Sequence, residues 1–110
     1  MWVTPETFRL VRGELSFWNT HGESGALKRC AFCSACGARI YHAGVEPVDY
    51  LSIKGGSIDR ISAFSPIAHI WTRSALPWIK LSAMPGQIFE KDAPDGDLLI
   101  SLWQKQNATT

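Results

Sequence analysis

The residues best able to do chemistry in this chain lie between Arg29 and Gly37, in the run Arg-Cys-Ala-Phe-Cys-Ser-Ala-Cys-Gly. Cys33, Cys36 and Gly37 have the Cys-x-x-Cys-Gly spacing of a zinc knuckle. The turn brings two thiolates to one metal, and the glycine permits the tight bend that follows. Zinc in a structural site takes four ligands in a tetrahedron. The chain has three cysteines, so thiolates of one chain cannot close such a site. On a strand, Cys30 would point to the face opposite Cys33, and it reads as a small buried apolar residue rather than a third ligand. His42, a few residues further on, is the better intrachain supplement to the two thiolates. The competing reading of Cys33 and Cys36 is a pair of inert thiols.

Other candidate groups lie downstream. His69 shares a predicted strand face with Trp71, and a histidine set among aromatics is usually a hydrogen-bonded structural residue. Trp71, Pro77 and Trp78 offer walls for a small polar ligand, with Ser74 and Asp59 as hydrogen-bonding groups. The block is dense in large apolar side chains, so its expected role is mainly stability. Neither Ser74 nor Asp59 is paired with a base or nucleophile as acyl transfer or glycoside hydrolysis requires. Gly55-Gly56 follows a predicted strand without the later glycines of a phosphate or dinucleotide loop.

The elements that must position these groups are mostly strands. Phe8, Leu10 and Arg12, then Leu15 and Phe17, alternate around a turn at Gly13-Glu14 and predict two short strands. Residues 19–25 predict a loop. Residues 26–32 and 38–43 predict the strands entering and leaving the knuckle, which makes a hairpin with Cys33 and Cys36 at its tip. Residues 48–54 predict a further strand ended by Gly55-Gly56. A turn or short helical stretch then starts at Ser57, and residues 68–72 predict another strand. At the C-terminal end Asp95 or Asp97 can cap an amphipathic helix whose Leu98, Leu99, Leu102 and Trp103 share one face, expected to be packing.

Length and charge narrow the function classes. With 110 residues and no internal repeat, the chain predicts one domain able to bury its own core. A formal net charge of +1, with acidic and basic residues evenly scattered, points to no nucleic-acid partner. No apolar stretch is long enough to cross a bilayer, which predicts no membrane partner. An odd cysteine count with no export signal predicts reduced thiols and a cytoplasmic protein.

In order and spacing, several segments resemble one family: residues 6–15 (Glu-Thr-Phe-Arg-Leu-Val-Arg-Gly-Glu-Leu), the run from Arg29 to Gly37, Gly56-Ser57-Ile58-Asp59, and the block from His69 to Trp78. Together they are similar to the glutathione-dependent formaldehyde-activating enzyme family, from about residue 2 to about residue 89. The most specific blocks are Phe32-Cys33-x-x-Cys36-Gly37 and His69-x-Trp71-x-x-Ser74-x-x-Pro77-Trp78.

The resemblance implies a mainly β, β-tent type fold. Small antiparallel sheets are joined around a structural zinc, with the knuckle hairpin and here a short C-terminal helix. It also implies a zinc-dependent carbon-sulfur lyase acting on adducts of glutathione with an aldehyde. Cys33 and Cys36 match the second half of the structural zinc site, and Cys30 matches no ligand position. The family's Cys-x-Cys strand pair and its catalytic-zinc cluster would lie upstream, so the chain resembles the C-terminal two-thirds of the domain, an N-terminally shortened β-tent. Such an arrangement needs about seven cysteines for two zincs.

Two readings follow from the resemblance. One is a lyase that is catalytically incomplete as given, with a small thiol or glutathione adduct as its ligand. The other is a non-catalytic dimeric module with a binding or structural role. The missing strands would leave a sheet edge uncovered, and a second copy of the chain is the simplest cover. That homodimer would bring Cys33 and Cys36 of both subunits together if the knuckles lay near its axis.

Overall fold

The computed structural model describes residues 1–45, 48–93 and 95–107. They fall into two compact units, Met1–Ile61 and a second beginning at Ser62. The first unit is built on a five-stranded antiparallel sheet. Its strands are β1 (Trp2–Val3), β2 (Leu15–His21), β3 (Leu27–Cys33), β4 (Arg39–Gly44) and β5 (Leu51–Ile53), in spatial order β1-β5-β4-β3-β2.

Two hairpins make the centre of this sheet. β2 and β3 are joined by a turn closed by hydrogen bonds from Gly25 N to Gly22 O (2.9 Å) and from Gly22 N to Ala26 O (3.0 Å). Gly25 sits at φ 86°, a conformation that favours glycine. β3 and β4 are joined by the turn that follows Cys33, where Cys33 N donates to Ala38 O at 2.8 Å and Gly37 N donates to Cys33 O at 2.9 Å. Gly37 takes φ 78° there, as the Cys-x-x-Cys-Gly pattern predicts.

Antiparallel partners place their side chains on one face. One face therefore carries the rows Val3–Leu51–Ala43 and Ile53–Tyr41–Ala31–Phe17. The buried Ala31, Ala43 and Leu51 lie in these rows. Phe8 is set edge-on to Tyr41, with ring centroids 5.2 Å apart, so the segment before β2 lies over this face. The opposite face carries the row Trp2–Ser52–His42–Cys30–Trp18, one residue from each strand.

Residues 8–12 form no strand. Among the described residues the outer edge of β2 is open to them, but Phe8 packs on Tyr41 and lays the segment over the sheet face rather than along that edge. Phe8 instead ends a single 3₁₀ turn, its N–H bonded to Pro5 O at 3.2 Å. β2 runs through His21, beyond the predicted loop boundary, because seven consecutive pairs with β3 outweigh the polar character of Asn19 and Thr20. The strand predicted over residues 48–54 is limited to β5, and residues 46 and 47 lie outside the described residues.

The second unit is poorer in regular structure. β6 (Ala68–His69) and β7 (Gln87–Ile88) pair in parallel. This departs from the expectation of antiparallel sheets only, and the long connection over residues 70–86 returns the chain in the same direction. The strand predicted over 68–72 stops at His69, since Trp71 adopts φ 56°, ψ 34° and leads into a 3₁₀ turn at Thr72–Ser74. Trp71 is the one non-glycine residue at positive φ among those described. Its N–H is anchored on Lys91 O at 2.8 Å. The predicted helix is present as α1 (Gly96–Asn107), and Asp95 Oδ1 accepts the Leu98 N–H at 2.7 Å. This is the capping bond from an N-cap to the third helical residue. The first unit and the opening of the second contain most of the chemistry-bearing side chains.

Candidate metal half-site and the cysteine face of the sheet

Cys33 and Cys36 stand together at the tip of the β3–β4 hairpin, Cys33 half-buried and Cys36 exposed. The Cys33 sulfur accepts the backbone N–H of Cys36, then that of Ala35, and also interacts with the Cys36 thiol. Those donors hold the Cys33 thiol below its ordinary pKa, against a smaller opposing effect of burial. N–H groups turned onto a sulfur favour its thiolate, the form a metal binds. Two thiolates would be two of the four ligands that a tetrahedral structural zinc takes. Among the described residues no group of three or more His, Cys, Asp or Glu is placed to hold a metal.

The other sequence candidates fall elsewhere. Cys30 is buried at 8 % exposure on the face opposite Cys33, as its position on the strand predicts. His42 does not supplement the knuckle. It is the direct partner of Cys30 across β3 and β4, and its Nδ1 accepts a hydrogen bond from Lys54 Nζ at 2.7 Å. The bulge that shifts the β3–β4 register between Ala31 and Phe32 separates His42 from the tip, so counting residues from the knuckle misplaces it. Its pKa is lowered to about 4, first by burial and then by the positive charges of Lys54, Lys28, the Met1 amino group and Arg39.

His69 is the structural residue expected, its Nε2–H donated to Pro85 O at 2.8 Å. Trp78 is 74 % exposed and Pro77 is exposed, so neither has the packing role predicted for it. Trp71 is half-buried, with the Arg73 guanidinium 5.6 Å from its ring centre. Asp59 and Ser74 are both exposed.

Sequence reading missed Lys54 as a partner of His42. One signal was available: the five strands of the sheet contain no Asp or Glu, so a histidine on them has only cations for charged neighbours within the sheet. That Arg39 shares the Cys30 face with His42 depends on the bulge and is not legible from alternation.

A family model described as glutathione-dependent formaldehyde-activating enzyme matches residues 1–74. The chain belongs to that family. The matched segment covers the whole five-stranded sheet, the Cys33–Cys36 tip and the His69–Trp71 segment, and it stops before Pro77 and Trp78. Comparisons with curated proteins and with solved structures returned no match. At the level of the family, the chain is thus tied to glutathione-related formaldehyde activation. No helix among the described residues is long and apolar enough to cross a membrane.

Proposed function

We propose that this chain is a β-tent member of the family whose Cys33 and Cys36 form half of a structural zinc knuckle. On this reading the family's carbon-sulfur lyase chemistry on glutathione-aldehyde adducts is not carried out by this chain alone. The supporting observation is the hairpin tip, where two sulfurs sit side by side and backbone N–H groups favour the thiolate of Cys33. Zinc bound there would tie the ends of β3 and β4 together, with its remaining positions filled from outside the described residues. A catalytic zinc needs three protein ligands and an open position. Three cysteines, one of them on the far face of the sheet, do not supply that set together with the knuckle.

The chain by itself is expected to show no turnover, either in condensing formaldehyde with glutathione or in cleaving the adduct. Zinc-dependent turnover that survives Cys33→Ser and Cys36→Ser would reveal a separate catalytic metal and overturn this reading.

The same proposal includes a homodimer. Among the described residues β2 is paired on one side only, leaving a seven-residue edge with Phe17 and Trp18 42 % and 53 % exposed. Such an edge invites pairing with another strand, and a second β2 satisfies it with two-fold symmetry. Cys33 stands opposite Leu15 at one end of β2. Full-length antiparallel pairing of two β2 edges would therefore put the two knuckles at opposite ends, about 20 Å apart along the strands. Edge pairing and a shared four-thiolate zinc exclude each other, and edge pairing is the arrangement proposed.

Native mass spectrometry of protein purified without chelator is expected to find a dimer whose zinc is lost on Cys33→Ser while the dimer remains. A monomer at micromolar concentration would remove the dimer. A dimer that falls apart with chelator would replace edge pairing by the thiolate bridge.

A further inference from the structure

We propose that the Cys30 face of the five-stranded sheet binds the carboxylate groups of a small organic acid, held by Lys28, Arg39 and Lys54, with the ligand's apolar part against Trp18 and Phe32. This site uses neither Cys33 nor Cys36 and does not rest on the zinc reading.

The strands bring several cations to this face. Lys28, Cys30 and Phe32 alternate along β3 onto it, Arg39 pairs with Phe32, and His42 pairs with Cys30. Lys54, just past β5, reaches the same face through its bond to His42 Nδ1. None of the five strands contains an Asp or Glu. At the Arg39 end of this face lies an open pocket of about 430 Å³ lined by Trp18, Cys30, Phe32 and Arg39, together with Phe17 and Gly37. Lys28 and Lys54 are outside its lining and approach it from the His42 side. Its composition of aromatic walls with one guanidinium at the side is that of a small-molecule site. A guanidinium and two ammonium groups are the donors that recognise carboxylates.

The electrostatics agree with the geometry. Burial first, then the positive charges around it, depress His42. Lys54 is lowered by burial, with Cys30 opposing and Lys28 and Arg39 adding, so an anion bound among these cations would favour the protonated forms of both. Among the described residues, the charged and titratable groups that act on His42 are Lys54 beyond β5, Lys28 on β3, Arg39 on β4 and the Met1 amino group beside β1, with Cys30 as its cross-strand partner. A carboxylate placed among them stabilises the protonated imidazole, so binding and the His42 titration are linked.

The test is an NMR titration of the His42 ring at low ionic strength, assigned with His42→Asn. It is run with glutathione, succinate and glutathione diethyl ester as separate probes. Binding of a carboxylate is expected to raise the His42 pKa by about one unit. A response to glutathione and not to succinate identifies a peptide carboxylate as the ligand, and the reverse identifies a free dicarboxylate. A response to both identifies the carboxylate group as sufficient. Lys54→Gln is expected to weaken binding by about tenfold, Lys54→Arg to retain it, and Lys105→Gln on α1 to leave it unchanged. The proposal is overturned if neither acid moves the His42 titration or if the diethyl ester moves it equally. It is also overturned if Lys54→Gln and Lys105→Gln weaken binding alike, which would mark diffuse net charge rather than a site.

Discussion

Leu51→Ala is expected to destabilise the first unit by about 2–4 kcal/mol, and to lower its melting temperature by on the order of 10–20 °C. Leu51 is 6 % exposed and, among the described residues, is the one large aliphatic side chain that is buried, beside Cys30, Ala31 and Ala43. Its partners are Val3 on β1 and Ala43 on β4, so truncation removes the contact that joins the sheet's short edge strand to its middle. Alanine neighbours have no rotamers with which to fill the space, which keeps the cavity open and the cost near the upper part of the range. Val11→Ala is the control: Val11 is 81 % exposed, and a surface substitution of that kind is expected to fall within about 0.5 kcal/mol of the parent. Thermal and urea unfolding of the two variants measure the difference. Equal stability for both would mean that the core lies elsewhere.

Acid is expected to unfold the protein through His42. Its folded pKa, about 4, is below the unfolded value of 6.5. Between those values the unfolded chain binds the additional proton, so stability rises with pH across that window. The contribution is complete above pH 6.5 and is lost as pH falls toward 4. A displacement of roughly 2.5 units corresponds to an upper bound of about 3 kcal/mol. The ring is partly solvated, so screening reduces the expected effect to about 1–2 kcal/mol. The Met1 amino group and Lys54 are also depressed, both chiefly by burial. His42→Asn keeps an acceptor for Lys54 and removes the titration. Urea unfolding from pH 4 to pH 7 is expected to give a flatter profile for His42→Asn than for the parent, and parallel profiles would show that His42 ionises as freely in the fold as outside it.

What the sequence by itself determined is what neighbours in the chain decide. Cys33, Cys36 and Gly37 specify their hairpin because one glycine at positive φ closes the turn and the flanking residues alternate. Asp95 and the leucine spacing after it specify α1 because an N-cap and a 3.6-residue period are both local. The same local logic failed at Phe8, Leu10 and Arg12, whose alternation is that of a strand, because Phe8 packs edge-on to Tyr41 over the sheet, away from the open edge of Leu15–His21. It failed again at Trp78, where apolar type suggested burial and the structure leaves the ring in solvent.

Only the tertiary structure decided which side chains meet across the sheet. The row Trp2–Ser52–His42–Cys30–Trp18 joins residues as far as fifty positions apart, and its membership depends on the register of four ladders and one bulge. A one-residue slip in any ladder would turn that strand's side chains to the other face. That register, rather than the short interval between Cys36 and His42, assigns His42 to Lys54 and Cys30. It leaves the two knuckle thiols at a hairpin tip where no third ligand among the described residues joins them.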